Sequence, residues 1–194
     1  MAVQTLMAKA EFKQLPEGPP YYEYEYGQVI EMPRPHPWHN RVLHRLIGPI
    51  DAFVTQHGIG EVFMDSEVDL TQDLVYAPDF IFIRKEHLPG TYGPSTGEII
   101  GVPDLVVEIV SPSHPDRDRI RKFAEYERVG VAWLWLIEAF ALSVEEYHLE
   151  NGHYVRVSGT MKGETFRPQL FPGMEVNLLQ LVGEPPAMLL NPVE

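Results

Sequence analysis

The sequence contains no cysteine. Disulfides, thiolate zinc centres, iron–sulfur clusters and cysteine nucleophiles are therefore all excluded. Positive charge is scarce as well: 15 Lys and Arg stand against 28 Asp and Glu, a formal net charge of -13. Sequence-independent nucleic-acid binding relies on cations that neutralise phosphates, so any such role must rest on a local patch. Long apolar runs are missing too. The longest in the second half, residues 131–137, falls far short of the roughly 20 residues a membrane-spanning helix needs. The N-terminal stretch MAVQTLMAKAEFKQLPEGPP has neither the basic start nor the apolar segment of a signal peptide. The expectations are no membrane association and a cytoplasmic location.

What is present is a globular composition. With 44% hydrophobic residues in 194, a chain of this size buries roughly 70% of its unfolded surface and needs no covalent or metal staple. A single domain over residues 1–194 is expected, with 1–20 as an N-terminal arm closed by a Pro/Gly break and a core over about 20–180. Tyr22, Tyr24 and Tyr26 alternate with Glu23 and Glu25, the period of a half-buried strand, and Gly27-Gln28 turns the chain into a second strand over 29–32. From Trp38, the residues Val42, Leu43, Leu46, Ile47, Ile50 and Phe53 fall at helical spacing, which predicts a helix over 38–56.

Strands are expected at 61–70 and 79–84, then a Gly/Pro-rich loop over about 86–102. The apolar run 104–110 reads as a strand buried on both faces, interrupted by a single acid, Glu108, and stopped by Ser111-Pro112-Ser113. Asp116 is a candidate N-cap for a helix that turns Ile120, Phe123 and Ala124 to a core and ends at Gly130. A strand over 133–137 follows. Asn151-Gly152 between two alternating runs is a hairpin signal, and a last small hairpin is expected over 166–176. No internal repeat is visible.

Two acids stand out by position. Asp79 opens a strand directly after Pro78, and Glu108 lies in the middle of Leu105-Val106-Val107-Glu108-Ile109-Val110. An ionised carboxylate there is costly unless something positive compensates it. Alternation puts Asp79, Ile81 and Ile83 on one face, and Asp104, Val106, Glu108 and Val110 on one face of the other strand. If the strands are neighbours the two carboxylates converge. Such a pair calls for a hard divalent cation, Mg²⁺ or Mn²⁺, with the Ile109 carbonyl as a further ligand. Lys122, 14 residues after Glu108 and flanked on its helix face by Asp118 and Tyr126, is the candidate for stabilising developing charge. Around it Arg117, Arg119, Arg121 and Arg128, with Arg84 and Lys85 upstream, form the local basic run a phosphate backbone would need.

Pro78-Asp79 followed by Glu108 resembles the PD-(D/E)XK nuclease superfamily. The block Pro103-Asp104-Leu105-Val106-Val107-Glu108-Ile109-Val110-Ser111-Pro112-Ser113, then Asp118, Lys122, Tyr126, Gly130-Val131 and Trp135-Leu136, resembles its Uma-type branch of restriction endonucleases. The resemblance implies an α/β (α+β) restriction-endonuclease-like fold: a mixed central β-sheet flanked by helices, with peripheral β-hairpins. It also implies Asp79 and Glu108 as metal ligands for Mg²⁺ or Mn²⁺, Lys122 as catalytic lysine, and His39, Asp118 and Tyr126 near the cleft; Arg121 of the basic run is a further candidate there. Two positions depart from the pattern. The third residue of the E-x-K motif is Val110, so the lysine has to come from the helix, and Glu138 stands where the family usually has Asp.

Each residue also has a plain reading. Asp79 can simply start a strand, Glu108 can sit in a buried salt bridge with Lys122 or an arginine, and Lys122 can pair with Asp118 on a helix surface. His36, His39 and His44 lack the spacing of a helical zinc pair. Gly93-Pro94-Ser95-Thr96-Gly97 matches G-x-S-x-G, but no apolar strand precedes it, as a nucleophile elbow requires. The constellation and the resemblance together imply metal-dependent hydrolysis of DNA phosphodiester bonds, and a homodimer is expected because cutting two DNA strands is easier for a two-fold pair. The alternative is a catalytically inactive module of the same fold that binds nucleic acid or a protein partner.

Overall fold

The computed structural model describes residues 6–16, 18–110 and 116–186. Its centre is a six-stranded mixed sheet built from β3 (Gly60–Met64), β6 (Phe80–Arg84), β8 (Leu105–Val110), β9 (Trp133–Glu138), β10 (Ser143–Glu150) and β11 (His153–Thr160). The order across it is β11-β10-β9-β8-β6-β3. Only β8 and β9 are parallel neighbours, and parallel strands need a crossover. That crossover is a π-helical turn, Arg117–Lys122, running straight into α4, Phe123–Val129.

A second mixed sheet of five strands has the order β2-β1-β5-β4-β7. It comprises β1 (Tyr21–Glu25), β2 (Gln28–Met32), β4 (Val68–Thr71), β5 (Leu74–Tyr76) and β7 (Ile99–Ile100). Two short helices, α1 (Lys9–Phe12) and α3 (Leu88–Thr91), lie at its margins. The N-terminal hairpin is thus not a free appendage, since Tyr24 pairs with Val75 across β1 and β5.

The alternation of the central strands separates two cores. On one face Phe80, Phe82, Leu105, Val107, Ile109 and Trp135 pack against α2 (Pro37–His57), through Val42, Leu46 and Ile50, and against the C-terminal segment with α5 (Leu178–Val182). On the other face Ile81, Ile83, Val106, Val110 and Leu134 meet Leu74 and Tyr76 of the second sheet, and Tyr126 of α4. Asp79 and Glu108 belong by alternation to this second face.

Several expectations are corrected. Asp116 is already in the helical region (φ -64, ψ -31) and its side chain makes no capping bond, because a capping residue needs an extended backbone. Ile120 and Ala124 face solvent, and the buried face carries Asp118, Lys122, Glu125 and Tyr126 instead. The stretch 61–70 is two strands, β4 forming a hairpin with β5 about the turn at Thr71 to Asp73. The C-terminal hairpin reduces to one bridge, Phe166 with Val176. Asn151 and Gly152 do turn the hairpin of β10 and β11, both with positive φ (52 and 83) as that tight turn demands. The Gly93–Gly97 segment lies in turns with no strand before it. Ser111-Pro112-Ser113 lies outside the described residues.

Candidate active site

β6 and β8 are antiparallel neighbours with Phe80 opposite Val107. One step further in the same register sets Asp79 opposite Glu108. The Asp79 carboxylate ties the strands together: one oxygen accepts the Ile109 N–H at 2.6 Å. The other lies 3.1 Å from Nε2 of His39, the third residue of α2.

Glu108 is almost fully buried and shares a single oxygen between two donors. Lys122 Nζ stands 3.0 Å from Oε1, and the Tyr126 hydroxyl donates to the same atom at 2.5 Å. Lys122 is 1% exposed. Its second partner is Glu23 of β1, whose Oε1 is 2.8 Å away, and its ammonium sits 5.4 Å above the Tyr76 ring. Glu23 is also paired with Arg117, while Glu25 accepts from the Tyr76 hydroxyl at 3.1 Å and pairs with Arg121 at the rim.

Burial, and then the neighbouring charges, shift the protonation of these groups in different directions. Burial raises the Glu108 carboxyl to about 8; Lys122 opposes the shift, and Asp118, Asp79 and Glu23 add to it. Burial acts the same way on Glu23, but Lys122 and Arg117 outweigh it and hold Glu23 below the ordinary carboxylate value. Burial works against the Lys122 ammonium, yet Glu108, Glu23 and Asp118 keep it charged. Burial, then the neighbouring Glu108, lifts Tyr126 well above its usual value, so it remains a neutral donor. Burial lowers His39, but the Asp79 contacts outweigh it and the net shift is upward.

Asp79, Glu108, Lys122, Tyr126 and His39 are thus brought together. Asp118 lies close enough to act on both Glu108 and Lys122. Arg121 stays at the margin with a half-exposed side chain held by Glu25. Most of the basic run is paired with acids of the protein itself. Arg84 pairs with Asp104, Arg119 with Glu138 and Glu145, Arg121 with Glu25, and Arg128 with Glu125.

Sequence reasoning missed Glu23, Glu25 and Asp65. The period-2 pattern of Tyr22 to Tyr26 contained the signal for the first two, but a strand of tyrosines and glutamates invites burial of the rings. Here the glutamates point into the cluster because cations wait for them. Asp65 takes part through its neighbours: partial burial and Asp79 raise its carboxyl, with His39 opposing. Nothing in its sequence setting separates it from an ordinary turn residue.

The donor set suits a hard cation. Asp79 and Glu108 offer oxygen donors and no soft ligand, the chemistry a hard divalent cation prefers. Among the described residues no group of three or more His, Asp or Glu forms a cage. Mg²⁺ typically uses only one or two carboxylates, completing its shell with water and phosphate oxygens.

The architecture is restriction-endonuclease-like. It is similar to the crystal structure of "a putative nuclease belonging to DUF820 from Anabaena variabilis ATCC 29413", with a TM-score of 0.72 at 21% identity over 91% of this chain and 97% of that one. Residues 10–180 match the family model Uma2, described as "Putative restriction endonuclease", and the chain belongs to that family. No curated protein matches it. No helix among the described residues is long and apolar enough to cross a membrane.

Proposed function

We propose that this protein is a Mg²⁺-dependent endonuclease that hydrolyses phosphodiester bonds in DNA. The observation that carries the reading is the juxtaposition of three groups. Asp79 is bonded to the Ile109 backbone, Glu108 is one residue away, and Lys122 is 3.0 Å from Glu108. Asp79, Glu108 and the Ile109 carbonyl are the residues to hold Mg²⁺, with Mn²⁺ as a substitute. Bound there, the cation supplies charge neutralisation at the phosphoryl group and makes water a stronger nucleophile at neutral pH.

The chain's own residues do the rest. Lys122 presents a fixed positive charge, which costs no reorganisation as negative charge develops on the phosphoryl oxygens. Tyr126 fixes the Glu108 carboxyl and His39 fixes Asp79, so both acids are held before substrate arrives. Asp79, with a side chain 15% exposed, offers the approach to substrate. Arg121 at the rim is placed to meet a neighbouring phosphate.

The internal pairing of the basic run favours one other reading, a non-catalytic module that binds nucleic acid or a protein partner. Soaking crystals in Mn²⁺ and measuring anomalous scattering separates the two. A peak between Asp79 and Glu108, absent in Asp79→Asn, is expected of the nuclease. An empty, salt-bridged cleft overturns it.

A further inference from the structure

We infer that Glu23 is a positioning residue that sets Lys122 and the Asp79 turn relative to each other; this rests on the nuclease reading. Its carboxylate is 0% exposed and contacts three residues on two parts of the site, the π-helical turn and the approach to β6. Oε1 lies 2.8 Å from Lys122 Nζ and accepts the Ala77 N–H at 3.1 Å, while Oε2 pairs with Arg117. Ala77 is two residues before Asp79. One oxygen therefore locates both the catalytic ammonium and the backbone that delivers the metal-binding acid.

The strand that carries Glu23 makes this possible. β1 pairs with β5 through Tyr24 and Val75, and the next step of that register sets Glu23 opposite Tyr76, the residue before Ala77. The second sheet thus inserts a fixed carboxylate between the π-helical turn and the start of β6.

Glu23 also divides the loyalty of Lys122. Held on both sides, at 2.8 Å and 3.0 Å, the ammonium does not neutralise Glu108 alone, and Glu108 keeps capacity for a divalent cation. In Glu23→Gln the ammonium turns to Glu108, and one negative charge leaves the neighbourhood. Both effects weaken the cation site.

The test titrates the folded full chain with Mg²⁺ by calorimetry and measures kcat and KM on duplex DNA. Glu23→Gln is expected to weaken Mg²⁺ binding about tenfold or more, because one charge a few ångströms away is removed. It should lower kcat about tenfold or more through misplaced groups, with KM for DNA within about twofold because Glu23 does not reach substrate. Glu23→Asp, which keeps the charge but withdraws it, should fall between. Glu146→Gln is the control: that carboxylate is equally buried but serves Trp135 and the backbone of Gln169 and Leu170. It should lower the melting temperature and leave Mg²⁺ affinity unchanged.

If Glu23→Gln resembles Glu146→Gln, losing stability alone, the inference is overturned. It is overturned equally if both Glu23 variants fail to fold where the wild type folds, since Glu23 then serves the fold. A wild type that neither binds Mg²⁺ nor cuts DNA defeats the nuclease reading itself and the inference with it. A wild type that does both while Glu23→Gln tracks it defeats the inference alone.

Discussion

Glu23 and Glu146 are both 0% exposed, and their surroundings push them in opposite directions. Two cations outweigh burial at Glu23 and lower it. At Glu146 burial dominates; the N–H groups of Gln169, Leu170 and Trp135 oppose it without overcoming it, and the carboxyl is raised. The stability consequence has a definite sign. Below about 4.5, the ordinary glutamate value, folded and unfolded forms both hold the proton and Glu146 contributes no slope. As pH rises, the unfolded chain releases its proton first, so stability falls until the folded carboxyl also ionises. Melting curves at pH 4 to 7 are therefore expected to show Glu146→Gln gaining on the wild type as pH rises. A constant difference between the two across that range would show that Glu146 is not raised. Asp79 and Glu108 were legible in the sequence as acids in apolar strands, and Lys122 by its spacing from Glu108 on the following helix. Glu23 was not, because its reason for burial is a lysine 99 positions away in the chain.

The π-helical turn Arg117–Lys122 shows how far polar partners can override an apolar pattern. Facing Ile120 inward would gain roughly 1.5–3 kcal/mol of burial. Turning Lys122 outward would leave Glu23 and Glu108 short of their shared cation, at about 3–5 kcal/mol for a broken buried pair. The ion cluster wins, and Ile120 is 66% exposed. An i→i+5 turn carries one residue more than an α-turn, a local adjustment that single-sequence periodicity does not register and that often marks functional sites. Ile120→Ser is expected to cost less than about 0.5 kcal/mol in urea denaturation. A loss of about 2 kcal/mol or more, the range for buried Ile truncation, would mean that the apolar face is the packed one. Long elements with one strong period, α2 and the Asn151-Gly152 hairpin, were readable from sequence, α2 to within one residue at each end. The short strands β5 and β7 were not, since two or three residues carry no period and form only because neighbouring strands accept their hydrogen bonds.

At the scale of the molecule, the charge of -13 is arranged so that most of the basic run is spent on internal acids. On the nuclease reading this leaves few cations for phosphate contacts and predicts a shallow salt dependence of DNA binding. Assembly is a second whole-molecule property. The tyrosine strand β1 lies inside its sheet and offers no edge, but β2 and β11 are edges, and Tyr21 and Val155 are exposed beside them. A two-fold dimer through such an edge would present two sites to two DNA strands. Sedimentation at micromolar concentration should give twice the 22.2 kDa chain mass, and a single monomeric species would exclude it. The central claim, that Asp79, Glu108 and Lys122 form a metal-dependent nuclease site, is tested most directly by turnover on supercoiled plasmid, with and without Mg²⁺, for the wild type and Lys122→Ala. The expected result is cleavage only with the cation and a loss of about 10² or more in kcat for the variant. A near-wild-type rate in Lys122→Ala, or a wild type inert with both Mg²⁺ and Mn²⁺, would contradict it.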